Sequence, residues 1–412
     1  MATQAPAGPT SGGKAKLLLF LALVVAGMGQ SFVFAVLPPV GRAMAMGDVQ
    51  ISLIIVSAAV LFVVAAPVWG RIIENWGRRP VMVFGLTAFA VTTALFGFVV
   101  ELRLELTISV GLAFILLAAL RALFAMGAGG VFPAAQAYLA DTSPPERRAA
   151  ALSLIGIAFG VGMVAGPAAA GGLAGIGLIA PFYGIAGMAL IMAVALKLGL
   201  KRGSRRGVPH HLAAQPLVVL RILPFLVMGA LTLMTLATVQ QVTGFRIQDL
   251  FGLNTAETAE TSSVALIAMA IAMIITQSTL VRRIKGPPIL LVRLGAPLAA
   301  VALVVMFMSD SLLWISVGMA LFGASIGLVM PGFMASATLA VGPHQQGRLA
   351  GFQAAAQGTG FIVGPPASAA LYQWVPVAPY LMGVALMASI ALIAYLVPLP
   401  GRQVEAPASA AN

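Results

Sequence analysis

Residues 17–39 read LLLFLALVVAGMGQSFVFAVLPP and contain no charged side chain. A hydrocarbon core about 30 Å thick needs about 20 apolar residues at a helical rise of about 1.5 Å each, so this stretch is long enough to cross a bilayer. Lys14 and Lys16 precede the stretch, while Pro38 and Arg42 at its end do not form an evident cleavage site. We therefore interpret it as an uncleaved membrane helix and not as a signal peptide.

Eleven further apolar stretches of similar length follow along the chain. The twelve predicted spans are residues 17–39, 51–69, 81–100, 109–139, 149–173, 180–195, 217–250, 262–280, 288–308, 312–339, 350–371 and 377–397. The predicted fold class is therefore an all-α integral membrane protein with twelve transmembrane helices.

The composition excludes several classes of function. Of the 412 residues 60% are hydrophobic and 8% are charged, whereas about a quarter of a soluble protein is charged. A soluble enzyme and a disordered chain are excluded. No nucleic-acid partner is expected either, because the chain has no basic stripe interleaved with aromatic residues. The chain has no cysteine, its histidines (His210, His211 and His344) lack further ligands at suitable spacing, and no nucleotide-binding glycine loop is present. We expect no metal and no cofactor, with an ion gradient as the driving force.

The basic residues predict the orientation in the membrane. With both termini in the cytoplasm, only Arg42, Arg103 and Arg246 lie near the outer side, and Arg121 lies within the membrane. The other placed basic residues then lie at the inner surface, as the positive-inside rule requires. They are Lys14, Lys16, Arg71, Arg78, Arg79, Arg147, Arg148, Lys197, Lys201, Arg202, Arg205, Arg206, Arg221, Arg282, Arg283, Lys285, Arg293, Arg348 and Arg402.

The chain also repeats itself at an offset of 198 residues. The segment 122–124 (ALF) recurs as 320–322 (ALF). Glycines and prolines keep the same register, pairing Gly129 with Gly327, Pro133 with Pro331, Pro145 with Pro343, Gly162 with Gly360, Gly166 with Gly364 and Pro167 with Pro365. The prediction is two pseudo-symmetric six-helix bundles, residues 1–198 and 217–412, joined by a basic connector at 199–216. Two repeated halves are typical of transporters that work by alternating access.

Three motifs carry a resemblance to a known family. The segment 70–80 (GRIIENWGRRP) resembles the loop 2–3 signature of the major facilitator superfamily, with Glu74 where Asp is usual. Arg121 and the glycines after it resemble the helix-4 signature. Gly162, Gly166-Pro167 and the glycine pair at 171–172 resemble the helix-5 signature of the family's proton-driven antiporters, with three residues between the two pairs where two are usual.

A gate is expected around the loop 2–3 segment. Gly70 and Gly77 permit positive φ at a tight turn, and Arg78 is placed to pair with Asp141. The resemblance implies that Glu74 meets the start of helix 11 near Arg348, where the helix dipole favours an anion. These residues, together with Arg79, would lock the two halves on the cytoplasmic side, although an exposed ion pair contributes only about 0–1 kcal/mol.

Arg121 is the most unusual residue of the predicted membrane interior. An arginine at the centre of a membrane helix costs about 2.5–3.5 kcal/mol, so it should face a water-filled cavity or a partner. The resemblance implies a part in proton coupling. Neither helix 1 nor helix 4 carries an acid, so the candidate proton sites are Asp48 and Asp249. Asp249 lies one helical turn after Arg246 and is expected to pair with it, the alternative being a solvated outer residue.

By resemblance, helices 1, 4, 7 and 10 line a central cavity. The predicted substrate-binding residues are Gln30, Phe34, Arg121, Gln240, Gln241, Phe245, Arg246 and Phe322. This wall is apolar with a few amides and arginines, which suits an amphipathic neutral or anionic substrate. In helix 5, Gly162 and Gly166 allow a neighbouring helix to approach closely and Pro167 removes a backbone hydrogen bond, which predicts a role in conformational switching.

The sequence therefore predicts a secondary active transporter and not an enzyme. The leading interpretation is proton-coupled export of amphipathic drug-like compounds or metabolites. The alternatives are transport of an organic anion (a carboxylate, sugar acid or siderophore) and a lipid flippase. Expected partners are a small-molecule substrate, protons and the bilayer. The short loops suggest a bacterial inner membrane, and the resemblance implies a monomer.

Overall fold

The computed structural model describes residues 13–142, 148–200, 219–284, 286–342 and 345–397. Every regular element in these ranges is helical. The helices are α1 (Gly13–Ala43), α2 (Asp48–Trp76), α3 (Arg78–Leu104), α4 (Val110–Ala128), α5 (Val131–Thr142), α6 (Arg148–Ala174), α7 (Ala180–Gly199), α8 (Val219–Phe251), α9 (Thr255–Ser278), α10 (Leu280–Arg283), α11 (Ile289–Met308), α12 (Leu312–Leu339), α13 (Gln346–Trp374) and α14 (Ala378–Leu396). Beyond Leu200, the predicted connector at 199–216 lies outside the described residues, as do His210, His211 and His344.

These helices make twelve crossings, because α4 with α5 and α9 with α10 each form one. Ten crossings are long and apolar enough to span a membrane, and α2 and α13 are the other two. The predicted all-helical membrane fold is confirmed. We call the side where α1 begins and α14 ends the terminal face, and the side where α1 ends the distal face.

The helix packing repeats between the two bundles. In the first bundle α1 packs on α6, α3 packs on α4 and α7, and α2 packs on α4. In the second bundle the same places are taken by α8 on α13, by α11 on α12 and α14, and by α9 on α12. Between the bundles α6 meets α9, α2 meets α13 and α1 meets α8. The offset seen in the sequence therefore corresponds to two equivalent six-helix bundles.

Glycines let the central helix of each bundle touch its neighbour backbone to backbone. A Cβ on Gly162 of α6 would lie 2.5 Å from the Val24 carbonyl oxygen and 2.8 Å from the Gly27 Cα. Its equivalent Gly360 lies against the backbone of α8 at Ala230. Small residues are the usual means of such close helix approach in membranes. The repeated glycines therefore have a packing role in both bundles.

We expect Gly162→Ala to lower the thermal stability of the protein, whereas Gly172→Ala in the same helix should not. The added methyl group at Gly162 meets fixed backbone atoms, and overpacking of this kind costs about 1–3 kcal/mol. A Cβ added at Gly172 would have nothing within 4 Å, so alanine there should stabilise α6 by about 0.5–1 kcal/mol. Unfolding temperatures of the two variants in detergent test this expectation, and equal effects would contradict it.

A second group of glycines separates α4 from α5. A Cβ on Gly130 would lie 2.6 Å from Cε3 of Trp69, and the Trp69 indole donates a hydrogen bond of 2.8 Å to the Met126 carbonyl. Alanine at Gly130 would collide with the ring. Gly129 and Gly130 of the helix-4 motif therefore provide space for a tryptophan of α2.

The two bundles are joined mainly at the distal face. Every residue of α1 from 31 to 41 and of α8 from 235 to 247 is buried. A helix buried on all sides must be surrounded by both bundles. Exposed positions return on the same helices toward the terminal face, at Leu21 and Leu223 among others. The distal face is therefore closed in this structure.

Candidate functional site

The distal closure centres on Arg42, at the end of α1. Its guanidinium donates to both carboxylate oxygens of Asp48, at 2.9 and 3.1 Å, and to both oxygens of Asp249, at 2.6 and 3.2 Å. Asp48 begins α2 in the same bundle, whereas Asp249 ends α8 in the other bundle. Arg42 therefore ties the two bundles together through its bidentate contact with Asp249, while the contact with Asp48 holds it within the first bundle.

Aromatic residues of the second bundle complete this arrangement. The Tyr372 hydroxyl donates a 2.8 Å hydrogen bond to Asp249, and the Arg42 guanidinium carbon lies 4.6 Å from the Phe245 ring centroid. We call Arg42, Asp48, Asp249 and Tyr372 the distal lock. An isolated exposed ion pair is worth little, but bidentate, charge-assisted bonds to a partly buried arginine are stronger. The distal lock therefore has the geometry of a gate.

A second layer of contacts lies beneath the distal lock. The Gln241 side-chain amide donates to the Ser52 hydroxyl across the bundles. Phe34 of α1 meets Phe361 of α13 edge to face, with ring centroids 5.8 Å apart. This layer explains why Gln241 and Phe34, both predicted to bind substrate, are buried here. In this state they seal the distal side.

The predicted Arg246–Asp249 pair is wrong. Asp249 pairs with Arg42, while Arg246 donates to the carbonyl oxygens of Ser309 at 2.6 Å and Phe307 at 3.4 Å. Its nearest carboxylate is Asp310, 3.9 Å away. These carbonyls end α11, where the helix dipole favours a cation. Arg246 therefore anchors α8 to α11 within one bundle, and its side chain is not directed at a shared cavity.

The terminal-face cluster is partly as expected. The predicted pairing of Arg78 with Asp141 is confirmed at 2.9 Å, and Arg79 donates to the Lys197 carbonyl at the end of α7. Gly77 takes φ +91° between α2 and α3, as the turn requires. The expectation of a turn at Gly70 is wrong, because this residue lies within α2.

The contact expected between Glu74 and the start of α13 is absent in the described part of the chain. Glu74 is exposed and has no ion pair or hydrogen bond among the described residues, and Arg348 is exposed as well. Because the bundles meet at the distal face, this absence is what a state open toward the terminal face requires. The gating role of these residues stays a prediction.

Arg121 lies inside the first bundle, and it does not face the gap between the bundles. It is 5% exposed, donates to the Gly29 carbonyl of α1 at 3.3 Å and lies 4.5 Å from the Phe124 ring centroid. Its Nε has no hydrogen-bond partner among the described residues. A small cavity beside it is lined by residues of α1, α3, α4 and α7. The sequence correctly predicted burial, but placed the guanidinium in a central pocket.

The other predicted site residues differ in their exposure to solvent. Gln240, Phe245 and Phe322 are buried, whereas Gln30 is partly exposed at the edge of the sealed segment of α1. Gly166 packs against Ser31 and the backbone of α1, and α6 continues as a helix through Pro167. The switching role of these two residues stays a prediction.

Sequence reasoning missed the distal lock as a unit. Arg42 was placed near the outer side without a partner, Asp48 and Asp249 were candidate proton sites with Asp249 expected to pair with Arg246, and Tyr372 was not named. An available signal was that Arg42 and Asp249 end the first helix of each half. Their meeting could have been inferred from the repeat symmetry.

Comparisons with known proteins agree with this architecture. The sequence model of a family described as the Major Facilitator Superfamily matches residues 19–358. Multidrug resistance protein 2 of Bacillus subtilis (strain 168) is 25% identical over 198 residues, 48% of this chain and 46% of that protein. Tetracycline resistance protein, class C, of Escherichia coli is 35% identical over 154 residues, 37% of this chain and 36% of that protein. The matches thus span half or less of these relatives.

Two solved structures share the fold across almost the whole chain. A bacterial homolog of the human lysosomal transporter Spinster, in an inward-facing and occupied conformation, aligns with a TM-score of 0.70 at 17% identity, covering 92% of this chain and 95% of that one. The human organic anion transporter MFSD10 aligns with a TM-score of 0.64 at 18% identity, covering 93% and 100%. At these identities the likeness concerns the fold alone.

Proposed function

Because the chain belongs to the Major Facilitator Superfamily and is therefore a membrane transporter and not an enzyme, we propose that it exports amphipathic drug-like compounds or metabolites by alternating access, driven by the proton gradient. The observation that carries this proposal is the distal lock, a set of charged contacts that joins the two bundles at the distal face. The relatives named for multidrug and tetracycline resistance support export of drug-like compounds.

The charge distribution supports placing the terminal face in the cytoplasm of a bacterial inner membrane, with both termini inside. Most of the described basic side chains lie at the terminal face, among them Arg71, Arg78 and Arg79, whereas Arg42, Arg103 and Arg246 lie at the distal face. The positive-inside rule puts the face with fewer basic residues outside. The structure then corresponds to a state that is open inward and closed outward, the state in which an exporter collects its substrate.

In this state the substrate would enter between the bundles from the terminal face. Gln30 is the predicted amide that remains partly exposed, and it lies directly before the sealed segment of α1. We assign it to substrate contact at the closed end of the entry path. Gln240, Gln241, Phe245 and Phe34 would become available only when the distal layer separates.

Asp249 fits a gate better than a proton carrier. A coupling proton must be taken up at one face and released at the other. The Asp249 side chain is 48% exposed at the distal face even though that face is closed, so a proton bound there would return to the solution it came from. The Asp249 carboxylate instead holds Arg42 of the other bundle, which is the role of a gate.

Transport of an organic anion is the second candidate. No carboxylate lies at the middle of the membrane among the described residues, whereas Arg121 lies there. Such a distribution does not favour a cation as substrate. The likeness in fold to a human organic anion transporter is compatible with this alternative.

Efflux from proteoliposomes loaded with substrate, with an imposed pH gradient, tests both candidates. We expect an acidic exterior, at the distal face, to drive a neutral amphipathic dye out of the liposomes against its concentration gradient. Liposomes without protein and protein-containing liposomes without a gradient are the controls. Gradient-driven movement restricted to carboxylate-bearing compounds would favour the second candidate, and movement that ignores the gradient would refute proton coupling.

A further inference from the structure

Two glutamines lie directly below the ring contact that seals the distal side. The rings of Phe34 in α1 and Phe361 in α13 meet across the bundles, with centroids 5.8 Å apart. Gln30 precedes Phe34 by four residues, and Gln357 precedes Phe361 by four residues. Residues four apart share a face of a helix, and both helices end in the distal lock, at Arg42 and near Tyr372. Gln30 and Gln357 therefore lie one turn nearer the terminal face, on opposite sides of the gap below the ring contact.

Both amides are available to a ligand in this gap. Gln30 and Gln357 are partly exposed, and neither side chain has a hydrogen-bond partner among the described residues. An amide without a partner is costly in hydrocarbon, whereas the gap below the seal is open to water from the terminal face. The stem of Gln357 lies against α8, since its Cγ is 3.4 Å from the place of a Cβ on Gly229. This glycine therefore gives the stem room and holds it at the edge of the gap.

The repeat does not account for either glutamine. The offset of 198 residues pairs Gln30 with Met228 and Gln357 with Phe159. The glycines that bring the central helices together, in contrast, keep the same register in both halves. The two amides are therefore not part of the packing pattern that the halves share.

We propose that Gln30 and Gln357 together bind the polar end of the exported compound, and that they select a neutral group with both a donor and an acceptor, such as a carboxamide. This inference rests on the proposed function, because it names the substrate class of that transporter. A glutamine side chain offers one carbonyl acceptor and one NH₂ donor, so two of them can satisfy the N–H and the carbonyl of a ligand amide from opposite sides. A carboxylate has only acceptors and an ammonium has only donors, so either uses half of the groups that the pair provides.

Binding of three tritiated naphthyl compounds to the purified full chain in detergent tests this selectivity, with protein-free micelles as the blank. The compounds are 1-naphthylacetamide, its N,N-dimethyl derivative, which keeps the ring and the carbonyl but has no N–H, and 1-naphthylacetate, which carries a carboxylate. We expect the wild type to bind the primary amide about fivefold more tightly than either analogue, because one matched hydrogen bond is worth about that factor.

Replacement by methionine separates the two amides from their surroundings. Gln30→Met and Gln357→Met keep the length of the side chain, and each should weaken binding of the primary amide about fivefold. The double variant should bind the primary amide and the dimethylamide equally, and its remaining binding of the dimethylamide shows that it is folded. Gln353→Met is the matched control, since Gln353 lies one turn from Gln357 in α13 but is 7% exposed. This control should keep the preference of the wild type.

The inference is overturned if the wild type binds the primary amide no more tightly than the dimethylamide. It is also overturned if Gln30→Met or Gln357→Met binds the primary amide as tightly as the wild type, or if Gln353→Met weakens this binding equally. Binding in detergent needs no gradient, so its result is separate from that of transport. Gradient-driven efflux of a neutral dye without a preference for the amide would leave the proposed export in place and refute the amide pair alone. An amide preference without driven efflux would do the reverse.

Discussion

In Asp249→Asn we expect a cysteine placed at Ser52 to react with a membrane-impermeant maleimide added at the distal face, whereas it is protected when Asp249 is intact. Ser52 is 0% exposed and contacts Gln241 of the other bundle, so it becomes accessible only when the distal layer separates. The chain has no cysteine of its own, which makes the introduced thiol the single reporter.

The expected effect is large because Asp249 accepts hydrogen bonds from both Arg42 and Tyr372. Hydrogen bonds to a charged group are worth about 1.5–3 kcal/mol each, so loss of the carboxylate should raise the labelling rate about tenfold or more.

Asp310→Asn is the matched control for this experiment. Asp310 is an acid at the same face, but it is 87% exposed and lies near Arg246 within one bundle. Its loss should leave labelling at position 52 unchanged. Equal labelling in the two variants, or continued protection in Asp249→Asn, would show that the distal lock does not hold the bundles together.

The fold was predictable because its determinants are local in the sequence. The length of each apolar stretch identifies a membrane crossing. Gly162 and Gly360 occupy equivalent places in the repeat because both glycines meet the backbone of a neighbouring helix. The contact between Arg78 and Asp141 was also predictable, since both residues lie near helix ends at the terminal face, where the loop 2–3 and helix-4 motifs meet.

The charged contacts of the distal face were less predictable because they depend on tertiary approach. Helical spacing suggested that Arg246 pairs with Asp249, but the carbonyls of Phe307 and Ser309 at the end of α11 compete for the same guanidinium. A sequence pattern does not show unsatisfied carbonyls on another helix. The contact expected for Glu74 fails for a different reason, since it belongs to a state in which the terminal face is closed.

Replacement of Arg121 by methionine should abolish gradient-driven transport and at the same time stabilise the protein. A charged side chain at the centre of a membrane helix costs about 2.5–3.5 kcal/mol, and methionine fills similar space without charge. Arg121→Met should therefore unfold at a higher temperature than the wild type while losing flux.

We expect the opposite change in unfolding temperature for Arg246→Met, although Arg246 is buried to the same extent as Arg121. It removes the donor to the Ser309 and Phe307 carbonyls, and leaving such acceptors unsatisfied costs about 1–3 kcal/mol, so its unfolding temperature should fall. Two measurements on both variants separate the two roles. Tryptophan fluorescence during heating gives the unfolding temperature, and a pH gradient across proteoliposomes gives the driven flux. Loss of flux in Arg121→Met is expected because the family resemblance implies a part for Arg121 in proton coupling. Wild-type flux in Arg121→Met would remove this residue from the mechanism, and a lowered unfolding temperature would mean that its contact with Gly29 is structural.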